Sequence, residues 1–242
     1  MSDKARTDGR APGELRPLAF QRRYTENAPG SVLTTFGRTR VLCTAMVTDG
    51  VPPFLQGRGQ GWLTAEYSML PSATESRKVR DRNGRVDGRS VEIQRLIGRA
   101  LRAVVDLGRM TERTVWVDCD VLQADGGTRT ASISGAWVAL HDLFTHMDSK
   151  RLLRGWPLVS QIAGVSVGVV DGVALCDLSY AEDSKAGTDM NLVMTGEGRF
   201  VEVQGAAEGE PFSSDELASM LALGSAGIRQ VFAAQRAALG LS

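Results

Sequence analysis

The amino-acid sequence predicts an α+β fold in which antiparallel and mixed sheets are covered by helices. Stretches of alternating apolar and polar residues, which are typical of strands, fill residues 15–47 and return between residues 163 and 205. Segments with apolar residues at helical spacing separate these stretches, and another lies near the end of the chain. Strands and helices therefore interleave unevenly, with more antiparallel pairing than a doubly wound fold would contain.

In the first half of the chain, turn and helix-end signals delimit the predicted elements. Pro29-Gly30 and Gly37 divide the opening β region, and Gly108 is expected to end the first helix. The predicted elements are two or three antiparallel strands over residues 15–47, a strand over Trp62–Met69, a polar loop over residues 72–87, a helix over residues 90–107, a strand over residues 114–122, a loop over residues 123–127 and a helix over residues 128–147.

The second half of the chain carries two further local signals. Asp171-Gly172 is typical of the tight turn of a hairpin, and Ser213 with Glu216 forms a capping box before a final helix. The predicted elements are hairpin strands over residues 163–170 and 173–180, strands over residues 189–195 and 200–205 around a turn at residues 196–198, and a helix over residues 215–239.

Length and composition predict one compact domain. With 242 residues, 43% of them hydrophobic, the chain is long enough to bury a sizeable core. We expect residues 15–242 to form that domain and residues 1–14, rich in Gly, Arg, Asp and Pro, to form a flexible tail. The sequence has no stretch of about 20 apolar residues and no apolar region typical of a secretory signal. We therefore expect a cytoplasmic protein with no membrane partner.

Cysteine and histidine usage argues against covalent and thiol chemistry. Cys43, Cys119 and Cys176 each lie in an apolar, strand-like run without a CxxC pair, which predicts buried, inert thiols. His141 and His146, the only histidines, are five residues apart on a predicted helix and cannot form an i,i+4 metal pair. Chemistry by this chain should therefore rely on positioning, charge and metal, as phosphoryl transfer does.

Charge is balanced overall but not along the chain. Lys+Arg and Asp+Glu both total 28. Residues 77–102 hold nine basic residues against three acidic ones, whereas residues 171–216 hold eleven acidic residues against two basic ones. The first segment could bind a polyanion through its phosphates, and the second could bind a divalent cation.

A glycine-rich turn before the second long helix is a candidate anion site. Gly126-Gly127 precedes Thr128 and Arg129 at the predicted helix N-terminus, where unpaired N–H groups favour anions. A tight turn without any ligand explains the same spacing. Arg89 opens the preceding helix and could meet the same anion, although a solvated helix end is the simpler interpretation of this residue alone.

Four acidic residues cluster where a predicted strand ends and a loop begins, at Asp177, Glu182, Asp183 and Asp189. Clustered carboxylates repel one another unless a cation neutralises them. A magnesium site at Asp183 and Asp189 is therefore one interpretation, and carboxylates that cap backbone N–H groups are the other.

Taken together, these segments resemble those of the ribonuclease PH family of bacteria, in order and over nearly the whole chain. The residues that carry the resemblance are Gly30–Leu33, Arg40–Ala45, Gly61–Tyr67, Gly88–Ser90, Glu92–Ile97, Asp118–Ser134, Tyr180–Asp183, Asp189–Asn191, Val203–Gly205 and Glu208–Gly209. The resemblance implies a ribosomal-protein-S5-domain-2-like fold and a homohexamer built as a trimer of dimers. It also implies a reaction in which inorganic phosphate removes the last nucleotide of a tRNA precursor or another RNA 3′ end.

The resemblance also assigns roles to individual residues. It implies phosphate binding by Arg89, Gly127, Thr128 and Arg129, with Arg129 also catalytic. It implies that Asp183 and Asp189 are a catalytic pair that holds Mg²⁺ or assists proton transfer, and it links Arg77 and Arg80 to tRNA binding and subunit contacts. Arg95, Arg99 and Arg102 on the basic helix are expected to bind the RNA backbone.

Three other functions fit parts of the same pattern. An RNA-binding ring subunit without activity would not need Arg89, Arg129 and the two aspartates together. A polynucleotide phosphorylase would need a second such domain, whereas an exosome-type subunit would depend on partner chains. A small-molecule phosphate or nucleotide binder would leave the basic and acidic segments unexplained.

Overall fold

The computed structural model describes Arg6, residues 8–80 and residues 87–241, which form two sheets and four α-helices. The first sheet has the order β1-β2-β3-β5-β4, and only its β4–β5 pair is parallel; the second has the order β7-β6-β8-β9 and is antiparallel throughout. The strands are β1 (Leu18–Arg22), β2 (Gly30–Phe36), β3 (Thr39–Asp49), β4 (Trp62–Met69), β5 (Arg113–Gln123), β6 (Ile162–Val170), β7 (Val173–Cys176), β8 (Thr188–Thr195) and β9 (Phe200–Ala207). The helices are α1 (Gly88–Arg102), α2 (Thr128–Ser149), α3 (Tyr180–Asp183) and α4 (Ser214–Leu239). The predicted α+β class, with mixed and antiparallel sheets covered by helices, is confirmed.

Helix α2 lies between the two sheets and carries the middle of the core. Sixteen of its 22 residues are buried, because one side packs on β2 and β3 and another on β6. The approach to the first sheet is so close that a Cβ on Gly135 would fall 1.8 Å from Thr34 Oγ1. Helix α4 covers the opposite face of the second sheet, where Gly224 lies against Val167 and Leu192. A helix buried on most sides needs apolar residues on most sides, as α2 has.

Two predicted boundaries are wrong, one because of a tertiary contact and the other because of local backbone geometry. Helix α1 ends at Arg102 rather than at residue 107, since residues 104–106 leave the helix to hydrogen-bond with residues 157–159. Strand β7 ends at Cys176 rather than at residue 180. Asp177 has a positive φ of 54°, and Ser179 starts α3 with a capping box. The polar sequence after Cys176 therefore forms a helical turn instead of strand.

The segment predicted as a flexible tail is packed where it is described. Arg6 and residues 8–14, called the N-terminal arm below, lie against β7 and α3, and Arg6 and Arg10 form ion pairs with Glu182. The arm packs because these guanidinium groups meet carboxylates distant in sequence. Residues 1–5 and 7 of the predicted tail, and residues 81–86 of the predicted polar loop, lie outside the described residues.

The capping box predicted for the last helix is confirmed: Ser213 and Glu216 bond each other's backbone N–H at the start of α4. Within the described part of the chain, α4 is the one helix long and apolar enough to cross a membrane by length and composition. Its buried face packs on the second sheet, as that of a core helix does. The expectation of no membrane partner stays a prediction.

The three cysteines are buried and free, as predicted. Burial raises the pKa of the Cys176 thiol to about 12, so this thiol stays protonated near neutral pH. A hydrogen bond with Cys43 and, as the second cause, burial raise the pKa of Cys119 well above its ordinary value. These thiols are therefore poor nucleophiles and poor metal ligands.

Candidate active site

One cavity of about 250 Å³ collects most of the residues predicted to be functional. It lies where the N-terminus of α2 meets α3 and the start of β8. Its lining includes two arginines, Arg89 and Arg129, called the cationic wall below, and two aspartates, Asp183 and Asp189, called the anionic wall. The arginines are near enough to act electrostatically on both aspartates. The other residues that line the cavity are Met69, Thr74, Ala124, Gly126, Gly127, Thr128, Ser166, Tyr180 and Asn191.

The turn at residues 125–127, called the phosphate loop below, is shaped by two consecutive glycines. Gly126 and Gly127 have φ values of +77° and +66°, a left-handed conformation that glycine adopts without steric cost. Thr39 Oγ1 donates to the Gly126 carbonyl at 2.7 Å and accepts from the Asp125 N–H at 2.9 Å. The Arg16 guanidinium donates to the Asp125 carbonyl. These bonds fix the loop before any ligand arrives.

The N-terminus of α2 opens directly into the cavity. Its N-cap is Gly127, no side chain caps the first turn, and no acidic residue lies there. A 22-residue helix presents unpaired N–H groups and a partial positive charge at this end. The end of α2 is therefore suited to bind an anion such as phosphate.

Two arginines from different helices add full positive charge to this wall. Arg129 lies between β9 and α1: Nη1 donates to Gln204 Oε1 at 3.2 Å and is 3.9 Å from Glu92 Oε1. Gln204 Nε2 in turn donates to Glu92 at 3.0 Å, so the Arg129 side chain is held from two sides. Within the described part of the chain, the exposed Arg89 guanidinium forms no ion pair or hydrogen bond of its own. It is free to close on an anion in the cavity.

Asp183 and Asp189 face these arginines without forming ion pairs with them among the described residues. Burial raises the pKa of Asp183 above its ordinary value, although Arg89, Arg129 and Arg16 act in the opposite direction. Burial and repulsion from Asp183 raise the pKa of Asp189. Two partly desolvated carboxylates that repel each other form a site that gains stability from a cation.

The donor set fits a magnesium ion that is completed by substrate. Mg²⁺ is commonly held by one or two carboxylates together with substrate phosphates and water, and Asp183 and Asp189 supply that pair. No group of three His, Cys, Asp or Glu side chains able to hold a metal occurs among the described residues. A metal here would therefore depend on phosphate oxygens for part of its coordination.

The other two acidic residues of the predicted cluster have protein partners. Asp177 accepts from Arg16 Nη2 at 2.6 Å, and Glu182 accepts from Arg6 Nε at 2.7 Å. Their side chains are nearly fully buried, so these carboxylates are neutralised by arginines instead of a metal. The cluster thus divides into a structural pair and a pair that faces the cavity.

Several residues in or beside the cavity were not predicted from the sequence, and three of them are buried polar residues on the sheets. Ser166 and Asn191 lie opposite each other on β6 and β8, and both are buried. Asn191 is two residues beyond Asp189, so strand alternation puts it on the same face, a signal that was present in the sequence. Tyr67 OH hydrogen-bonds Thr128 Oγ1 at 2.8 Å across 61 positions, and no local pattern indicates that contact.

The residues predicted to bind RNA fall into three places. Arg77 and Arg80 line a cleft that shares Thr74 with the cavity. Arg95 and Arg99 line a groove between α1 and β9 beside Gln204, where Arg99 pairs with Glu202 at 2.7 Å. Arg102 lies at the other end of α1, over the Trp62 ring at 4.8 Å, and donates to the Leu63 carbonyl. The structure does not bring Arg102 to the cavity, and the RNA contacts of all five stay predictions.

Gly126→Ala is expected to cost more stability than Gly127→Ala. Both changes place a side chain at positive φ, which costs about 1–2 kcal/mol. A Cβ on Gly126 would also fall 2.4 Å from the Leu178 carbonyl oxygen, whereas a Cβ on Gly127 would meet nothing closer than 3.3 Å. Urea unfolding of the two variants checks this order, and equal losses would contradict the close packing of the loop on residue 178.

Asp183→Asn is expected to stabilise the folded chain at neutral pH. Because the pKa of Asp183 is raised on folding, the folded state holds the proton more tightly than the unfolded state does. The contribution of the Asp183 carboxyl to the free energy of unfolding is then fully present below its ordinary pKa and is lost as pH rises through the raised pKa. The uncharged amide avoids that loss, so we expect a gain on the order of 1 kcal/mol near pH 7.5 that shrinks toward pH 4. Urea unfolding across this pH range measures it.

Asp148→Asn is the control for this prediction, because Asp148 is exposed at the end of α2. Its effect should stay within about 0.5 kcal/mol at every pH. A loss of stability in Asp183→Asn at neutral pH would mean that the carboxylate is better satisfied than its burial and repulsion indicate.

The fold and the cavity together define an α+β protein in which an anion-binding helix end, two arginines and a carboxylate pair line one cavity, a set of groups suited to chemistry on phosphate groups. The chain belongs to the 3′ exoribonuclease family of RNA-processing proteins: residues 14–144 match domain 1 of the family and residues 160–227 match domain 2. The resemblance inferred from the sequence is therefore confirmed at the level of the family.

Solved structures share the fold at low sequence identity. Rice (Oryza sativa) Rrp46 superimposes with a TM-score of 0.77 at 21% identity, over 97% of this chain and 100% of the other. The Archaeoglobus fulgidus exosome, solved with RNA bound to its active site, gives 0.77 at 22% identity, over 96% and 92%. An archaeal exosome core gives 0.76 at 22% identity, over 98% and 92%.

Proposed function

We propose that this protein is a phosphate-dependent 3′→5′ exoribonuclease that trims the 3′ ends of tRNA precursors and releases nucleoside diphosphates. One observation carries the proposal: two arginines, an uncapped helix N-terminus and a carboxylate pair line a single cavity. Phosphorolysis needs such an arrangement, since it must bring an inorganic phosphate close to an RNA phosphate that repels it. Membership of the 3′ exoribonuclease family supports RNA as the second substrate.

The phosphate loop and the two arginines hold the attacking phosphate in this proposal. The N–H groups at the start of α2 and the guanidinium groups of Arg89 and Arg129 neutralise its charge. Gln204 and Glu92 keep Arg129 in place, so little reorganisation is needed when the anion arrives.

The reaction exchanges one phosphorus–oxygen bond for another. An oxygen of the bound phosphate attacks the last phosphodiester, and the bond to the 3′ oxygen of the preceding nucleotide breaks. The proton of the hydrogen phosphate ends on that 3′ oxygen, which leaves a new 3′ hydroxyl and a nucleoside diphosphate. Because the bonds formed and broken are similar in energy, excess nucleoside diphosphate should drive the reverse addition.

Asp183 and Asp189 orient the RNA side of the reaction and would hold Mg²⁺ there. When bound, the ion supplies positive charge to the scissile phosphate and to the leaving oxygen. Arg77, Arg80, Arg95 and Arg99 line the clefts next to the cavity, where they would contact the RNA backbone without reading its sequence. Binding should therefore weaken steeply as salt rises.

Identification of the released nucleotides tests the proposal. The purified protein is incubated with a 3′-extended tRNA and Mg²⁺, with and without inorganic phosphate. Nucleoside diphosphates that form only with phosphate, and that Asp183→Asn abolishes, are the expected result. Nucleoside monophosphates formed without phosphate would indicate a hydrolase, and no release at all would favour the inactive ring subunit.

The assembly and location are part of the proposal. We infer a cytoplasmic homohexamer, a trimer of dimers, whose mass by light scattering should be six times that of the chain. The second candidate function is an exosome-type subunit, favoured by the likeness to the archaeal exosome core. A chain that stays monomeric and gains activity only with partner chains would support that alternative.

A further inference from the structure

The N-terminal arm buries a charged side chain next to the anionic wall of the cavity. Arg6 is 7% exposed and Glu182 4% exposed, and they form a two-point ion pair: Nε to Oε1 at 2.7 Å and Nη2 to Oε2 at 2.7 Å. Removal of one partner of such a buried pair strongly destabilises the chain, because the other charge is left without compensation.

The same arginine also fixes the backbone that leads into α3. Arg6 Nη1 donates to the Cys176 carbonyl at 2.9 Å, and Nη2 donates to the Asp177 carbonyl at 3.0 Å. Arg10 Nη1 donates to the Asp177 carbonyl as well, at 3.0 Å, and Arg10 Nη2 lies 3.4 Å from Glu182. Two side chains of the arm therefore hold the end of β7 and the first turn of α3 together.

Helix α3 depends on such external support. It has four residues, and a single helical turn is unstable by itself because its nucleation is unfavourable. Glu182, which bonds Arg6, is the residue directly before Asp183, and its Oε2 also accepts from the Ser179 N–H at 2.9 Å. The ion pair and the capping box thus share one carboxylate, and Asp183 follows at the end of the turn.

Repulsion in the cavity makes a restraint necessary. Asp183 and Asp189 line the same cavity and repel each other, and neither bonds a protein cation among the described residues, so an unrestrained turn would relax by moving Asp183 away. We propose that Arg6, supported by Arg10, is a positioning residue that holds Asp183 in place against this repulsion. The inference rests on the proposed function, but its structural half can be measured without activity.

Hydrogen exchange and kinetics on the full chain test the two halves separately. In Arg6→Gln, the amides of Asp183 and Ser184, which bond the carbonyls of Ser179 and Tyr180, should exchange at least about tenfold faster. The kcat for nucleoside diphosphate release should fall at least about tenfold, since misplacement of a reacting group by about 1 Å can cost more than that. The KM for phosphate should stay within about twofold, because Arg6 does not contact the phosphate loop.

Two further variants separate positioning from general damage. Arg6→Lys keeps the charge but not the two-point geometry, so its amide exchange rates and its kcat should lie between those of wild type and Arg6→Gln. Asp8→Asn breaks the 2.7 Å pair between Arg10 and Asp8, whose side chain is 40% exposed, and should leave exchange and kcat unchanged. Core amides of α2 report whether any variant has lost the fold.

Each outcome has a separate meaning. Unchanged exchange in α3 of Arg6→Gln overturns the inference, and so does faster exchange with an unchanged kcat. A rise in the KM for phosphate as large as the fall in kcat would show that the arm acts through the cationic wall. That result also overturns the inference. If wild type releases no nucleotide, the proposed function fails, and exchange alone still decides whether the arm holds Asp183.

Discussion

Arg129→Ala is expected to lower kcat/KM for phosphate by at least about 10³-fold, on the assumption that the chain is a phosphorolytic nuclease. Arg129 is 16% exposed, stands at the first turn of α2 and is held by Gln204, so its charge is aimed at the cavity. The change removes a preorganised cation from the place where two phosphates must approach each other. Single-turnover release of nucleoside diphosphate at varied phosphate measures the loss.

Arg129→Lys and Arg199→Ala are the matched variants for this prediction. Lysine keeps the charge but cannot bind a phosphate with two parallel N–H groups, so it should recover only part of the activity. Arg199 is exposed and follows the last residue of β8, whereas Asp189 lies near the first residue of that strand. Loss of Arg199 should therefore have little effect on activity. Activity of Arg129→Ala within about threefold of wild type would refute the role of this arginine.

Asp177→Ala is expected to destabilise the chain by about 3–5 kcal/mol, the cost of an uncompensated buried charge. Asp177 is 1% exposed, and its carboxylate accepts from Arg16 Nε at 2.9 Å, from Arg16 Nη2 at 2.6 Å and from the Arg16 backbone N–H at 2.8 Å. Arg16, 5% exposed, also donates to the carbonyls of Asp125 and Gly126. The change therefore leaves a buried guanidinium beside the phosphate loop, and urea unfolding measures its cost.

Asp49→Ala provides the comparison for an exposed ion pair. Asp49 pairs with Arg113 at 3.1 Å, but its side chain is 92% exposed, so its loss should cost less than about 1 kcal/mol. The double variant Arg16→Met with Asp177→Leu should lose less than the sum of the single losses, because no unpaired charge remains. A loss below about 1 kcal/mol in Asp177→Ala would contradict the burial of this pair.

Local signals predicted most elements and the phosphate loop. Strand alternation gave Trp62–Met69 with the observed bounds, and Ser213 with Glu216 marked the start of α4. Gly126-Gly127 before Thr128 predicted an uncapped helix end, which the structure contains. These features depend on neighbours within about four residues, so the sequence carries them without knowledge of the fold.

Contacts between distant residues explain one boundary that was predicted wrongly, the end of α1, whereas the end of β7 is set by a local signal, the capping box of Ser179 and Glu182. Residues 104–106 have helical periodicity but pair with residues 157–159, and a sequence window cannot show that competition. The glycine, arginine and proline content of the N-terminal arm is typical of a tail, yet Arg6 meets Glu182 across 176 positions. Composition indicates only the average tendency of a segment to be ordered, whereas the position of the arm depends on the buried ion pair between Arg6 and Glu182.

The sequence by itself determined the fold class, the family resemblance and the residue types of the site, because period, capping and turn chemistry are local. Only the tertiary structure decided which acidic residues face the cavity. Asp177 and Glu182 are neutralised by arginines from the first sixteen residues, which leaves Asp183 and Asp189 to line the cavity together with Arg89 and Arg129. The sequence determines the charge of a side chain, but folding determines its partner, since desolvation and pairing energies depend on distances in space.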